Sequence, residues 1–310
     1  MASEYMPEGY ILDTAENIEH TRTLAGLEYA MNCGLILEGR ACLCDSAHNL
    51  IVELGKYRGI IPREEAAFST DGEPVKDIAV ITRVGKAVCF KVTGIEKDGK
   101  DVRILLSRRL AQRECCNYYI SHLRPGDIVD AKITHMEPFG AFCDIGCGIV
   151  SLLSVDCISV SRISHPKERF HLGQYIRCAI RQNDLETGRI TLTHKELLGT
   201  WEQNASRFSA GDTAAGIIRS IEPYGIFVEL SPNLAGLAEW CDDVSVGQSA
   251  AVFIKSINPE KMKIKLVIVD SSGQCAFPKP PEYFITDEHI GKWVYSPEES
   301  EKYISTDFDA

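Results

Sequence analysis

Apolar and polar residues alternate along most of the chain, and over residues 37–270 this alternation predicts a series of short β-strands. One face of such a strand turns toward a core and the other toward water, because successive side chains point in opposite directions. Two strands depart from this division. Phe142 falls on the same face as Asp144, and Phe227 on the same face as Glu229, instead of joining the apolar residues. Aromatic rings turned toward water on two separate strands indicate a binding surface.

Both rings belong to a repeated hexapeptide, which reads Glu-Pro-Phe-Gly-Ala-Phe at 137–142 and Glu-Pro-Tyr-Gly-Ile-Phe at 222–227. The two aromatic residues of each copy are three apart and would face opposite ways on a regular strand. A bulge or bend at the intervening glycine would bring both rings to one face. Two such rings form a platform on which nucleobases stack, at roughly 1–3 kcal/mol per base. Rings that cover a neighbouring helix or domain are the alternative, and the repetition favours binding.

Three units of similar length follow one another, each opening with a glycine ahead of a strand and closing with a basic residue on an alternating strand. The opening glycines are Gly39, Gly126 and Gly211, and the closing bases are Arg103, Arg189 and Lys263. About five short strands fit in each unit, which is the expected size of a small closed barrel. In the second unit, the residues predicted to fill the barrel are Val129, Ala131, Ile133, Ile176, Cys178, Ile180, Ile190 and Leu192.

The sequence predicts consecutive segments in which helices separate the barrels. They are an N-terminal helical segment (1–36), a first barrel (37–106), a connector (107–123), a second barrel (124–193), a connector (194–208), a third barrel (209–270) and a C-terminal extension (271–310). The N-terminal helix is expected from about Thr14 to Met31, with Asp13 and Glu16 spaced as a capping box.

Two stretches carry apolar residues outside the barrels. In the second connector, helical spacing predicts a stripe that seats one barrel against the next, made of Leu197, Trp201, Ala205 and Phe208. The C-terminal extension has three prolines followed by apolar residues, namely Pro278, Pro280 and Pro281, then Ile290, Trp293 and Tyr295. So many apolar residues argue against disorder. They either pack on the third barrel or contact a partner, and packing is favoured.

The net charge of −11 is concentrated at the ends of the chain. Residues 1–36 hold six acids and one base, and residues 271–310 hold eight acids and three bases, so the middle is close to neutral. A neutral middle disfavours strong non-specific binding of duplexes, which depends on many phosphate contacts. It leaves room for single-strand binding that depends mainly on stacking.

Other sequence features argue against several classes of protein. No run approaches the ~18 apolar residues of a membrane span, and the N-terminus lacks an export signal, so we expect a cytoplasmic protein without a membrane partner. The twelve cysteines include no Cys-x-x-Cys pair, which predicts reduced core thiols, no metal site and no cofactor. The motifs of serine hydrolases, zinc peptidases and P-loop enzymes do not occur, so we expect no catalytic residues.

Together these features resemble the S-one (S1) RNA-binding domain, the repeated module of bacterial small-subunit ribosomal protein one. The second unit is similar to this family over its whole length, the third is similar over most of its length, and the first only at its ends and fourth strand. The resemblance implies a mainly β protein with three tandem five-stranded OB-fold barrels, joined by short helices and preceded by an N-terminal helix. It also implies binding of single-stranded messenger RNA, in a ribonucleoprotein that acts in translation.

The resemblance assigns RNA-binding roles to particular residues of two barrels. In the second barrel they are the stacking residues Phe139 and Phe142, Asp184 before the last strand and the phosphate-contacting Arg189, and in the third they are Tyr224, Phe227, Asn258 and Lys263. The strand alternation adds Lys132, Arg177 and Arg181 to the outward face of the second barrel. Many family members have a histidine after the third strand's Gly-Leu-Val, where this chain has Ser151 and Glu239. A glutamate there would repel phosphate and weaken the third barrel.

The first barrel lacks the aromatic pair, because His48 and Ile51 stand at the corresponding positions. Degenerate units of this family are associated with protein contacts, so the small ribosomal subunit is a candidate partner of the first barrel. Two alternatives remain open, a protein-interaction scaffold and an accessory factor of RNA regulation or decay, each with barrels that contact protein. Absence of RNA binding at low salt would favour the scaffold.

Overall fold

The computed structural model describes residues 5–69, 75–98, 101–275 and 280–309, which form three closed five-stranded barrels in succession. The first contains β1 (Leu37–Cys44), β2 (Leu50–Leu54), β3 (Tyr57–Ile61), β4 (Ala87–Asp98) and β5 (Asp101–Ser107). The second contains β6 (Ile128–Glu137), β7 (Gly140–Asp144), β8 (Val150–Ser154), β9 (Tyr175–Asp184) and β10 (Arg189–Thr193). The third contains β11 (Thr213–Glu222), β12 (Gly225–Ser231), β13 (Leu234–Ala238), β14 (Gln248–Asn258) and β15 (Lys263–Cys275). The predicted mainly β fold with three barrels is confirmed.

All three barrels share one topology. The first three strands of each form an antiparallel meander, the fourth pairs with the first and the fifth, and the fifth closes the barrel by pairing in parallel with the third. This arrangement is consistent with an OB fold, and closure removes the free strand edges that would invite aggregation. The residues predicted to fill the second barrel are all buried.

Five short helices lie outside the barrels in the described part of the chain. They are α1 (Ala15–Arg22), α2 (Leu24–Cys33), α3 (Asp77–Ile81), α4 (Arg108–Tyr118) and α5 (Trp201–Ala205). The single N-terminal helix predicted from Thr14 to Met31 is therefore wrong. Thr23 has extended backbone angles, and its hydroxyl accepts a hydrogen bond from the amide of Gly26, so it ends α1 and caps α2. The cap of α1 is Thr14, whose hydroxyl accepts from the Asn17 amide, and not Asp13.

The two connectors differ in helical content. The first is filled largely by α4, which Ser107 caps by accepting from the Leu110 amide. In the second, a 3-10 turn over Lys195–Leu198 precedes α5, and Gly199 separates them with a φ of 84°. The apolar stripe predicted there is nevertheless present, because the side chains of Leu197, Trp201 and Ala205 are buried and Phe208 is partly buried against the same cluster.

The described part of the C-terminal extension packs on two barrels. Ile290, Trp293 and Tyr295 are buried together with the core of the third barrel, as predicted. The same segment also contacts the second barrel, where the Ile128 amide donates to the carbonyl of Glu288 over 2.8 Å. Its two strands, β16 (Lys292–Val294) and β17 (Ser305–Asp307), form a separate antiparallel sheet. Pro278, which was expected to mark an extended stretch, lies outside the described residues.

A buried ion pair lies at each junction between barrels. At the first junction, the Arg108 guanidinium donates two hydrogen bonds to the Glu8 carboxylate, from Nε to Oε1 over 2.6 Å and from Nη2 to Oε2 over 3.0 Å. At the second junction, Glu229 of β12 accepts from Arg169, which lies between β8 and β9, and from Arg219 of β11. The first two barrels also contact each other directly, because the Cys89 thiol of β4 donates to the carbonyl of Cys147, which lies between β7 and β8. No helix in the described segments is long and apolar enough to cross a membrane.

Candidate nucleic-acid interface

The hexapeptide aromatics lie on the outside of their barrels. The Phe139 side chain is 55% exposed, and its ring stands edge-on to that of Phe142 with centroids 6.0 Å apart. In the third barrel, Tyr224 is 69% exposed, and its ring stands edge-on to Phe227 at 6.2 Å. In each pair one ring is more than half exposed and the other is partly buried, and both lie on the outward face, as the sequence predicts.

The bend that joins the two rings of a pair differs from the predicted one. Phe139 lies in the tight turn before β7, and the register shift is on the partner strand β6, between Ile133 and His135, and not at Gly140. Glycine is required at 140 for another reason. A Cβ there would approach the carbonyl oxygen of Leu153 to 2.6 Å, so only glycine lets β7 and β8 come this close.

The bulge in β6 adds a third ring that the sequence did not indicate. His135 is the Cα partner of Phe142, and the two rings stack with centroids 6.0 Å apart and an angle of 28°. Its Nε2 atom lies 2.7 Å from Oε1 of Glu137. Strand alternation alone could not place His135 on this face, because the bulge shifts the alternation by one residue.

The strand registers define an equivalent row of outward side chains across each barrel. In the second barrel, the row is His135, Phe142, Leu152 and Thr191. In the third, it is Ser220, Phe227, Leu237 and Lys265. In the first, it is Leu43, Ile51, Ile60 and Leu105. In two barrels the row thus combines an aromatic ring and a leucine with polar or basic residues at its two ends, whereas it is wholly aliphatic in the first.

Two predicted site residues hold the turns that carry the basic residues. The Asp184 carboxylate accepts from the amides of Glu186 and Thr187, and its hydrogen bonds to Thr187 lower its pKa. Asn258 acts similarly in the third barrel, where its Oδ1 accepts from the Lys261 amide over 2.8 Å. These turns end at Arg189 and Lys263, which are exposed at the starts of β10 and β15. Asp184 and Asn258 therefore position the basic side chains of Arg189 and Lys263.

The other three basic residues predicted to bind RNA, Arg181, Lys132 and Arg177, differ from these in their surroundings. Arg181 is exposed, with Nη1 3.1 Å from the Cys157 sulfur. The Lys132 ammonium donates to the Glu8 carbonyl over 2.7 Å. The Arg177 guanidinium donates to carbonyls in the C-terminal extension, at 3.0 Å for Ile285 and 2.8 Å for Asp287. The ammonium of Lys132 thus binds the N-terminal segment, and the guanidinium of Arg177 binds the C-terminal extension.

The carboxylates that share a strand face with the aromatic rings are buried, although the sequence placed them in water. Asp144 accepts from the Glu8 amide, and Glu229 from Arg169, because neighbouring segments dock over both residues. Burial, followed by the nearby Glu8 carboxylate, raises the pKa of Asp144 to about 6. The outward rings therefore sit beside the barrel junctions.

The strand pairing also corrects the position expected for a histidine. In the third barrel, Ile226 pairs with Ala238, so Glu239 lies opposite Gly225. The equivalent glycine of the second barrel, Gly140, pairs with Ser154, so Ser154 and not the buried Ser151 corresponds to Glu239. In the third barrel, Glu239 follows the last residue of β13, as predicted. The Lys255 ammonium, 2.7 Å from its carboxylate, lowers the pKa of Glu239 and compensates its charge. The expected repulsion of phosphate is thereby reduced.

Among the residues that the structure describes, no cluster of histidine, cysteine, aspartate or glutamate side chains could hold a metal ion. Cys143 and Cys178 are buried inside the second barrel, where the sequence placed them as small apolar side chains.

Comparison with known proteins agrees with this architecture. Residues 122–195, which include the second barrel, match the family described as S1 RNA binding domain. The small ribosomal subunit protein bS1 of Staphylococcus aureus (strain COL) is 29% identical over 235 residues, which cover 71% of this chain and 58% of that protein. The bS1 homolog of Bacillus cereus is 31% identical over 232 residues, covering 71% and 56%. The chain thus spans somewhat more than half the length of these relatives.

Among solved structures, a multidomain protein with nucleic acid binding domains from Streptococcus pneumoniae is 13% identical, with a TM-score of 0.25. The similarity covers 76% of this chain and 73% of that one. Residues 122–195 therefore carry an S1 domain, and the chain as a whole is similar to bacterial ribosomal protein bS1.

Proposed function

We propose that the chain binds single-stranded RNA on the outward faces of its second and third barrels, and that it acts in translation in the cytoplasm. The observation that carries this proposal is the exposed Phe139–Phe142 pair within the S1 domain. The second pair, Tyr224 and Phe227, has nearly the same geometry. Rings in this arrangement offer π-faces to unpaired bases, whereas the bases of a duplex are stacked on each other and out of reach.

The charge of the chain favours single strands over duplexes. Few basic side chains are exposed on the strands of these two barrels that carry predicted site residues, namely those of Arg181 and Arg189 in the second barrel and of Lys263 and Lys265 in the third, besides Lys255, which pairs with Glu239. Each phosphate contact on a single strand contributes about −0.7 to the slope of log affinity against log salt. Four contacts give a slope of about −3, which is shallow for a nucleic-acid-binding protein. Affinity should therefore come mainly from stacking, and two barrels that engage one strand add avidity.

Titration of the full chain with fluorescent oligonucleotides tests this proposal. Single-stranded RNA of either uridine or adenosine should bind, with a salt slope no steeper than about −3. Duplex RNA of the same length should bind much more weakly at each salt concentration. Absence of single-strand binding even at low salt would contradict the proposal and favour a scaffold that binds protein.

The first barrel supports a second, separate role. Its outward row is aliphatic, and Leu43 in that row is 52% exposed, so it offers an apolar contact surface in place of a stacking platform. We propose that this row contacts the small ribosomal subunit while the other barrels hold messenger RNA. Leu43→Asp should reduce co-sedimentation with small subunits and leave oligonucleotide affinity unchanged. The matched control is Ile78→Asp on α3, which is 64% exposed and lies outside the row. Equal co-sedimentation of both variants and wild type would contradict this role.

A further inference from the structure

Another pair of exposed aromatic rings lies beside the second barrel, apart from the hexapeptide, with one ring from the N-terminal segment and the other from β9. Tyr10 and Tyr175 are 50% and 41% exposed, and their rings meet edge-on with centroids 5.6 Å apart. The geometry resembles that of the Phe139–Phe142 pair, whose rings are also edge-on at a similar distance. Neither tyrosine belongs to a repeated motif, and strand alternation gave no reason to select them.

The N-terminal segment fixes Tyr10 in this place. The preceding residue but one, Glu8, is held by Arg108 in the buried ion pair at the first junction. Gly9 then turns the chain with a φ of 94°, and its amide donates to Glu38 over 2.9 Å. A Cβ at Gly9 would come within 2.8 Å of the Lys132 ammonium, so glycine allows the segment to lie close to the barrel. These contacts of Glu8 and Gly9 therefore fix the position of Tyr10 beside Tyr175.

Tyr175 is held by the barrel itself. It is the first residue of β9, and its Cα partner on β6 is Lys132. The Lys132 ammonium lies 5.2 Å from the centroid of the Tyr175 ring, within range of a cation–π contact. The same ammonium donates to the Glu8 carbonyl, which fixes its charge beside the Tyr175 ring. A positive charge there suits an anionic strand whose bases stack on aromatic surfaces.

Strand β6 links the two aromatic sites, because it pairs with β7 on one side and with β9 on the other. Lys132 is the Cα partner of both Asp144 and Tyr175, so Tyr175 lies on the same outward face as Phe142. Strand spacings place the Cα atoms of Tyr175 and Phe142 roughly 12 Å apart. His135, on β6, lies between them. At roughly 3.4 Å or more per nucleotide of one strand, this distance takes up at most about four nucleotides, which one OB fold with a site of ~4–16 nucleotides can accommodate.

We propose that Tyr10 and Tyr175 form a second base-stacking site, which extends the single-strand path of the second barrel beyond Phe139, Phe142 and His135. This inference rests on the proposed function, since it names a further contact for the same RNA. The N-terminal segment then contributes to binding as well as to the junction. Short oligonucleotides fill the Phe139–Phe142 site alone, and longer ones reach both sites.

The test compares two lengths of single-stranded RNA on the full chain, a dinucleotide, which is too short to reach from Phe142 to Tyr175, and a dodecanucleotide. Tyr10→Ala should weaken binding of the dodecanucleotide by about five- to 150-fold and leave the dinucleotide unaffected. Tyr10→Phe keeps the ring and should bind both oligonucleotides as wild type does. Tyr118→Ala is the matched control, because this tyrosine on α4 is 70% exposed and belongs to no aromatic pair in the described structure.

The outcomes separate the two proposals. Wild-type binding of both lengths with no loss in Tyr10→Ala would overturn the second site and leave the proposed function in place. An equal loss for both lengths would also overturn it, since the variant would then act by disturbing the barrel. If wild type bound neither oligonucleotide, both proposals would fall.

Discussion

Replacing Glu8 with glutamine should open the junction between the first and second barrels. Glu8 is held there by Arg108, by the Cys89 amide, which donates to Oε1 over 3.1 Å, and by Arg83 at 3.4 Å. Burial by itself would raise the pKa of Glu8, but Arg108, Arg83 and the Cys89 amide together outweigh burial and leave the pKa below its usual value. The carboxylate is therefore charged in the folded protein, and glutamine removes that charge with little change in shape.

The cost follows from burial. The side chains of Glu8 and Arg108 are 6% and 4% exposed, so glutamine leaves a buried guanidinium without its partner. Removal of one member of such a pair costs about 3–5 kcal/mol. At about 1.4 kcal/mol per factor of ten, the open population of the junction should increase between about a hundredfold and a few thousandfold.

Thiol labelling under native conditions measures this opening at the junction itself. Cys89 and Cys147 are each 1% exposed, and the Cys89 thiol donates to the Cys147 carbonyl over 3.4 Å. Burial raises the pKa of the Cys89 thiol, so it reacts only when the junction opens. Labelling rates at Cys89, read by mass spectrometry of its peptide, should therefore increase with the open population.

Two further variants make the experiment decisive. Glu28 pairs with Lys97 through side chains that are 40% and 55% exposed, so Glu28→Gln should cost only about 0–1 kcal/mol and leave Cys89 labelling nearly unchanged. Adding Arg108→Met to Glu8→Gln removes the orphaned charge and should restore much of the protection. If Glu8→Gln labelled at the rate of the Glu28→Gln control, the junction would not depend on the buried pair.

Three other predictions follow from single residues. Arg189→Ala should weaken single-stranded RNA binding and make the salt slope shallower by about 0.7, and an unchanged slope would show that Arg189 contacts no phosphate. Burial raises the pKa of Glu38 to about 8, so the stability it contributes is complete below its ordinary value and is lost as the pH rises through about 8. Melting temperatures should fall from about pH 6 to about pH 9 in wild type and less in Glu38→Gln; equal falls would contradict this. Gly140→Ala should destabilise the chain by about 1–3 kcal/mol in urea unfolding, because its Cβ would meet the Leu153 carbonyl, whereas at Gly94 the nearest atom is 3.5 Å away and alanine should cost less.

The barrels could be predicted because their information is local and repeated. Alternation along each strand separates core from surface, and the same glycine and basic markers recur in every unit. The outward position of Phe142 and Phe227 followed from the same alternation. Strand pairing then placed the two rings in equivalent rows, with Leu152 and Leu237 as their partners on the next strand.

Sequence reasoning failed at two kinds of feature, contacts between distant segments and local departures of the backbone from a regular strand or helix. Asp144 looked exposed because its own strand cannot show that Glu8, 136 residues earlier, docks on it. The bulge that turns His135 toward Phe142 leaves no signature in composition. Thr23 interrupts a helical pattern through a side-chain cap that competes with helix continuation. Such features depend on tertiary contacts and local backbone choices that periodicity does not encode.

The affinity of the full chain for a single-stranded RNA oligonucleotide, with and without both phenylalanine rings, is the most direct test of the binding surface. Phe139→Ala combined with Phe142→Ala should weaken binding at least about tenfold, because each base stack contributes roughly 1–3 kcal/mol. The far-UV circular dichroism spectrum should not change, since both rings lie outside the barrel core. Equal affinity of the double variant and wild type would contradict the proposal that RNA binds by stacking on these rings.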